Sequence, residues 1–418
     1  MSSRNYNTNS PNTSPPAASG RRSVYLDYSA QSPIDRDILA AMQPYYESSF
    51  GNPSSIHASG RRGRMVIETC REDVARVIGA TVADIIFTGS GTEADNLALM
   101  GTMRANRARG NHLIVSAIEH KAVLAAAHAL EREGFRLSVL PVNAFGAIDI
   151  ETCLSLITEH TVLLSLMYVN NEIGTALPIR ELARKLREKR AGMFPLLHTD
   201  ACQASNLYSL DVRELGVDLL TVNSSKLYGP VGAGFLYRRK DIALEPIITG
   251  GEQEQNLRAG TESVPQIVGL TKAFLKAQAM REIEYKRLLR LQEYFMRELK
   301  RHIPSIRFNG DPQARTPSIV HVSVPFVEGE SMLLKLDEAG IFVSTGSACS
   351  SFDLRPSHVL TAIGQDADLM HGSVRFSLGR FTTQDELDYV LEVFPNIVSE
   401  LLSLSALTIV HPKTYTQK

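Results

Sequence analysis

From Tyr25 onward, short β-branched or apolar runs alternate with longer stretches of helical period, and this alternation confines the chain to an α/β architecture. Ile85–Thr88, His112–Ser116, Arg136–Leu140, Val162–Tyr168, Pro195–Thr199, Asp218–Val222 and Gly234–Tyr237 read as strands. Gly60–Ile78, Thr92–Arg104, Ala122–Glu133 and Ile179–Arg190 read as helices. Strands that are apolar along nearly their whole length belong to a mostly parallel sheet covered on both faces. Ligands of such sheets collect beyond the carboxyl ends of the strands, so the chemistry is expected just after these runs.

The pattern changes after Val264. A long helical stretch, Val264–His302, carries apolar positions suited to a connector between domains. Beyond it, strands Ser318–Ser323, Ile341–Ser344 and Val374–Leu378, with helices Glu330–Glu338, Pro356–Ile363 and Gln384–Leu401, form a smaller α/β lobe. A chain of 418 residues exceeds the size at which one core stops growing, so two domains are expected. The expected large, cofactor-binding domain is 36–281. The small one combines 23–35 with 282–418, and 1–22 is a disordered tail rich in Ser, Asn, Thr and Pro.

Charge and cysteine content remove several function classes. Lys and Arg number 44 against 45 Asp and Glu, so no overall field attracts nucleic acid or anionic lipid. No apolar run reaches the length that spans a bilayer, and neither a membrane nor a nucleic-acid partner is expected. Cysteines 70, 153, 202 and 349 form no C-x-x-C pair, and no signal peptide is read before them, which suits a reducing compartment. The first 22 residues carry Arg4, Arg21 and Arg22 and no acid, a bias shared with transit peptides. Pro15-Pro16 and the missing amphipathic stripe favour a cytoplasmic protein over a mitochondrial one.

Several polar residues stand where the pattern places ligands. In IIFTGSGTEADNLAL the turn Gly89-Ser90-Gly91 joins a strand to a helix opening at Thr92; its N–H groups could cradle a phosphate, or the glycines could serve the turn alone. The spacing is neither G-x-G-x-x-G nor Walker, so no dinucleotide or nucleoside triphosphate is indicated. Asp200 follows an apolar run in LLHTDACQ, where an unpaired carboxylate is costly, and it calls for a protonated pyridine nitrogen, a structural arginine or a helix to cap. Lys226, in DLLTVNSSKLYGP, also ends an apolar run, against the surface position usual for lysine. A desolvated lysine can be neutral and nucleophilic. Carboxylate, lysine and phosphate turn on neighbouring strands together suit pyridoxal 5'-phosphate.

His120, in SAIEHKAV, is either a cap or a group stacked on a planar cofactor. Cys349 lies in STGSACSSFD, with almost no apolar anchor, which suits an exposed nucleophile. Arg375, in VRFSL, needs a counter-charge if it points inward, either a substrate carboxylate or a structural acid.

Read together, YLDYSA, FGNPSSIH, the glycine turn with TEADN, EHKAV, YVNNEIG, HTDACQ, SSKLYGP, LRAGTES, VEGES, TGSACSS, PSHVL and VRFSLGRFT resemble, in order, the cysteine desulfurases of the class-V aminotransferase family, of nitrogen-fixation and iron–sulfur-cluster type. The resemblance runs from Tyr25 to Leu407. It implies the fold-type I architecture, a homodimer with active sites at the subunit interface, and removal of sulfur from L-cysteine to give L-alanine and an enzyme persulfide. The sulfur then passes to an iron–sulfur scaffold or another acceptor protein.

By the same resemblance Lys226 binds the cofactor aldehyde, Asp200 partners the pyridine nitrogen and Gln203 the phenolic oxygen. His120 stacks on the ring and shuttles protons. Asn171 and Arg375 bind the substrate carboxylate, with Asn171 also near the cofactor. Gly91, Thr92, Ser224 and Ser225 fall at phosphate positions, with Thr261 reaching across from the other subunit. Cys349 carries the persulfide, on a loop from Thr345 to Arg355 like the longer version found where sulfur passes directly to a scaffold. No resident metal is implied; Cys349 could ligate an iron–sulfur cluster transiently with a partner.

Two segments depart from the family pattern. Asn223-Ser224-Ser225 replaces Ser-Gly-His, so a histidine beside the phosphate has become Ser225. Gly250-Gly251-Glu252-Gln253-Glu254-Gln255-Asn256 replaces Gly-Gly-His-Gln-Glu-Arg-Gly, losing two basic residues at the expected dimer side. Alternative functions are a selenocysteine lyase or aminotransferase with the same cofactor, or an inactive paralogue that binds sulfur-transfer partners.

Overall fold

The computed structural model describes residues 22–189, 192–345 and 357–404. After a short strand β1 (Val24–Tyr25), the chain lays down β2 (Ile85–Thr88), β3 (His112–Ser116), β4 (Arg136–Leu140), β5 (Thr161–Ser165), β6 (Leu196–Asp200), β7 (Leu219–Asn223) and β8 (Gly234–Arg238). These last seven form one sheet in the order β2-β8-β7-β6-β5-β3-β4. Within it only β8 is reversed, antiparallel to both β2 and β7.

Side-chain alternation explains why such strands stay buried on both faces. Ile85 and Phe87 enter one core with Ile114, Leu164, Leu197, Leu220 and Phe235. Ile86 enters the opposite core with Leu113, Val115, Leu163, Leu196, Leu219 and Leu236. Helix α1 (Ala58–Ile78) packs Ile67, Val74 and Ile78 onto the first face. Helix α2 (Gly91–Asn96) follows β2, and α3 (Lys121–Arg132) packs Val123, Ala126 and Leu130 onto the second face. Helix α4 (Ile179–Lys189) returns to the first face with Ile179, Leu182 and Leu186.

Thr92–Arg104, expected as one helix, is interrupted by a wide π turn over Leu97–Gly101. The cause is tertiary: the Gly101 carbonyl accepts the Glu245 N–H at 3.0 Å, and a Cβ on Gly101 would meet the Glu245 carbonyl oxygen at 2.8 Å. The expected strand Ile341–Ser344 is also shorter, as described below.

Helix α5 (Val264–His302) spans two cores. Its first half buries Ile267, Leu270 and Phe274 under the large sheet, and its second half buries Leu288, Phe295 and Leu299 in the other lobe. There β9 (Arg307–Asn309), β10 (Ile319–Ser323) and β12 (Ser373–Ser377) form an antiparallel sheet, while β11 (Ile341–Phe342) pairs with β1 in parallel. Beyond β11, Ser344 makes an isolated bridge to Arg375 instead of extending the strand. Phe376 stacks edge-on with Phe295 of α5 and with Phe394. Helix α6 (His358–Ala362) sends Val359 and Leu360 into the large core, and α7 (Gln384–Leu404) covers the small sheet. Among the described residues no helix is long and apolar enough to cross a membrane.

One ion pair ties the 250s turn to the edge of the large sheet. Glu254 grips Arg71 of α1 with both oxygens, at 2.7 and 2.8 Å, and accepts the Phe87 N–H at 2.7 Å. Glu254, Gln255 and Asn256 all have positive φ (45°, 61° and 63°), a run that non-glycine residues adopt only when held. Gln255 bonds Arg238 at 3.1 Å, while Glu252 is exposed. Removing one member of a buried pair strands the other charge. Glu254→Ala should therefore lower the unfolding free energy by about 3–5 kcal/mol in chemical denaturation. A loss below about 1 kcal/mol would show that Arg71 finds water instead.

Candidate active site

The carboxyl ends of β3, β6 and β7 deliver the polar residues. Asp200 is the last residue of β6 and is buried; its Oδ1 accepts the Cys202 N–H at 2.9 Å, and its carbonyl accepts the Tyr168 N–H at 2.8 Å. The sequence reading ended this strand at Thr199. Register pairing of Asp200 with Thr221 extends it by one residue and holds the carboxylate rigid.

His120 follows β3 and caps α3, its Nδ1 accepting the Ala122 N–H at 3.1 Å. An Nδ1 that accepts leaves the neutral ring's proton on Nε2. Burial lowers the imidazole pKa, and nearby Lys226 and His358 push the same way, against Asp200 and Glu172. The ring is thus a neutral group that can donate from Nε2.

Lys226 lies in a tight turn after β7, with Nζ donating to the Ala30 carbonyl, while its own carbonyl accepts from Asn206. It lines a small pocket with Gln203, Tyr28 and Ser29. Gln203 Nε2 donates to the Ser29 carbonyl at 2.9 Å, leaving its Oε1 for another partner. The chain entry before α1 thus forms one wall beside the lysine.

The residues expected at phosphate positions are placed differently from one another. At Gly91 a Cβ would come within 2.9 Å of Cys202 Sγ and 3.1 Å of Asn223 Cβ, so the glycine turn packs directly on β6 and β7. Asn223, not Ser224, is the β7 residue facing this turn. Ser224 Oγ is buried without a hydrogen-bond partner, under Gly229, where a Cβ would meet it at 2.3 Å. Ser225 is buried too; its N–H lies 3.4 Å from Asn223 Oδ1, and its carbonyl accepts from the Ser32 backbone and hydroxyl at 2.9 Å each. Thr92 and Thr261 are exposed. A signal for Asn223 was present in the motif, since Asn223 occupies the place of the serine in Ser-Gly-His.

Arg375 enters from β12 with its side chain nearly sealed. It donates 2.8 Å bonds to Asp27 Oδ1 and to the Asn171 carbonyl, while its buried Nε has no partner. The structural acid anticipated as an alternative is therefore real, and it is Asp27, the lone acid of YLDYSA. Two of the guanidinium's five N–H donors are thereby used.

Cys349 lies outside the described residues. Its segment re-enters at Ser357, whose hydroxyl caps α6 and donates to buried Glu172 at 2.5 Å. His358 Nε2 then donates to the Glu119 carbonyl at 2.9 Å, beside His120.

The donor set fits pyridoxal phosphate. A buried carboxylate, a half-buried lysine, a neutral imidazole and a glycine turn too close-packed for any side chain converge at four strand ends. The pattern of the class-V aminotransferase family matches residues 24–390. The cysteine desulfurase IscS of Dictyoglomus turgidum is 45% identical over 92% of this chain and 97% of its own. A solved NifS-like protein superposes with a TM-score of 0.85 at 32% identity, covering 91% of this chain and all of its own. A structure of SspA in complex with cysteine superposes with a TM-score of 0.75 at 31% identity, over 86% of this chain and all of that one. A likeness running nearly end to end, with the expected residues gathered at the strand ends, shows that the chain belongs to the class-V aminotransferase family, among the cysteine desulfurases.

Proposed function

We propose that the chain is a pyridoxal-phosphate-dependent cysteine desulfurase in which Lys226, Asp200, His120, Gln203 and the Gly91 turn hold the cofactor and Cys349 receives the sulfur. The observation that carries this reading is the buried Asp200 carboxylate at the end of β6, electrostatically coupled to His120 together with Lys226. The cofactor, when bound, withdraws electrons from the amino acid's Cα and so weakens its C–H and C–S bonds. Asp200 pairs with a protonated ring nitrogen. Lys226 supplies the covalent anchor and, as a neutral amine, moves the proton at Cα. His120, holding its proton on Nε2, donates to the substrate side. Arg375 and Asn171 orient the substrate carboxylate.

The sulfur step needs a thiolate, and the described cysteines are poor candidates. Burial pushes the Cys70 and Cys202 thiols up, and that of Cys153 to about 12. Cys349 therefore carries the role. As its thiolate attacks the substrate sulfur, the S–S bond forms while the substrate Cβ–S bond breaks, and a proton returned to carbon leaves L-alanine. The persulfide then passes to an iron–sulfur scaffold or another acceptor. A homodimer is supported by exposed apolar side chains, Phe50, Ile56 and Met65 at 67%, 90% and 68% exposure. Exposed Thr261 is then free to serve the other subunit's phosphate.

Lys226→Ala should abolish the visible absorbance of the loaded protein and alanine formation while leaving it folded; alanine production at the wild-type rate would refute the assignment. At the phosphate end, Ser225→His should restore a charged donor and slow loss of pyridoxal phosphate on dialysis by up to about tenfold. Asn223→Ala should hasten that loss. Unchanged retention in both variants would remove these positions from the cradle.

A further inference from the structure

Behind Asp200 the core holds two acids that the sulfur chemistry leaves without a task. Asp95, on α2, is 1% exposed and Glu119, just before His120, is 0% exposed. Glu119 Oε1 accepts the Ser116 hydroxyl at 2.5 Å and the Met167 N–H at 2.9 Å. Its Oε2 is buried without a partner, as is Asp95 Oδ1. Among the described residues neither pairs with a lysine or arginine, and the basic atom within ion-pair range of Asp95 is His198 Nε2, at 3.8 Å. His198 is no counter-charge: its nitrogens sit 2.8 Å from the Ser165 hydroxyl and 3.0 Å from that of Thr221, and burial brings its pKa to about 4.

The charged and titratable neighbours add repulsion. Asp95 faces Asp200, Glu119 and half-buried Cys202. Glu119 faces Asp200, with His120 next in the chain and His358 bound to its carbonyl. Three like charges in one dry cluster cannot all persist. Asp200, at the strand end, is the member placed to meet a cation from outside the core.

We propose that Asp95 and Glu119 are positioning residues that stand as uncharged carboxylic acids behind Asp200, so that neither competes with it for the ring nitrogen of the bound cofactor. The proposal deepens the reading above and rests on it. The Asp200 charge then matches one protonated ring nitrogen. Burial, reinforced by Asp200, pushes Glu119 up to about 8 and Asp95 well above the carboxylate range, in the same sense.

The sign of the pH dependence follows. Between the ordinary carboxylate pKa and about 8 the folded chain keeps a proton on Glu119 that the unfolded chain has lost, so this group destabilises the fold increasingly as pH rises through that window and no further above it. Thermal melts of the cofactor-free full-length protein over pH 5–9, followed by circular dichroism, test this in wild type, Glu119→Gln and Asp95→Asn. The melting temperature of Glu119→Gln minus that of wild type should climb by on the order of 1–2 °C per pH unit up to about pH 8 and then level. Asp95→Asn should climb likewise. A difference that stays constant with pH, whatever its size, overturns the proposal.

Should a variant fail to fold, the infrared carbonyl stretch of protonated carboxyl groups in wild-type protein at pH 7 decides the same point: present as expected, or absent and contradicting. Pyridoxal phosphate added to the same samples separates the two claims. Wild-type protein that shows the climbing differences but takes up no cofactor would refute the desulfurase reading while leaving the charge state of these acids established.

Discussion

A carboxylate fixed at the end of a buried strand is the constraint around which this molecule is arranged. Asp200 cannot be withdrawn into the core, where Asp95 and Glu119 already lie, and it cannot reach bulk water from a strand sealed on both faces. An isolated carboxylate in such a place costs several kcal/mol unless a cation meets it. On the function proposed above, the protonated nitrogen of the bound cofactor would supply that cation, with His120 covering its ring.

Other features pack around the same strand ends. The Gly91 turn approaches Cys202 and Asn223 so closely that a side chain there would collide with them. On the side toward the small lobe, Arg375 from β12 is clamped by Asp27 and by the Asn171 carbonyl. A substrate carboxylate bound there would thus touch segments from both lobes. Helix α5 runs between the two cores and fixes their spacing, with Phe274 buried in one and Phe295 in the other.

Most strands of the large sheet were legible because their residues are apolar along their length, and β2, β3 and the half-exposed edge strand β4 match their expected bounds residue for residue. What pattern could not show were effects of distant chain. The π turn at Leu97–Gly101 comes from Glu245, and the left-handed turn at 254–256 is held by Arg71, far away in sequence. At the site, the strand-end positions of Asp200, Lys226 and His120 could be read from where apolar runs stop. Which face a side chain takes there could not: Ser224 was expected toward the phosphate and lies under Gly229, while Asn223, one residue earlier, faces the glycine turn. Asp27 was equally hidden, since its meaning depends on Arg375, 348 residues later. The downstream end of the Cys349 segment is pinned by Ser357 to Glu172, a pairing that no local motif announces.

The central claim is that sulfur leaves L-cysteine for Cys349 and for no other thiol of the chain. Incubation of the pyridoxal-phosphate-loaded protein with L-cysteine, followed by alkylation and peptide mass spectrometry, tests it directly. The peptide containing Cys349 should gain the mass of one or more sulfur atoms, while those containing Cys70, Cys153 and Cys202 stay unmodified. Persulfide on Cys202 or either of the other two, with Cys349 unchanged, would contradict it.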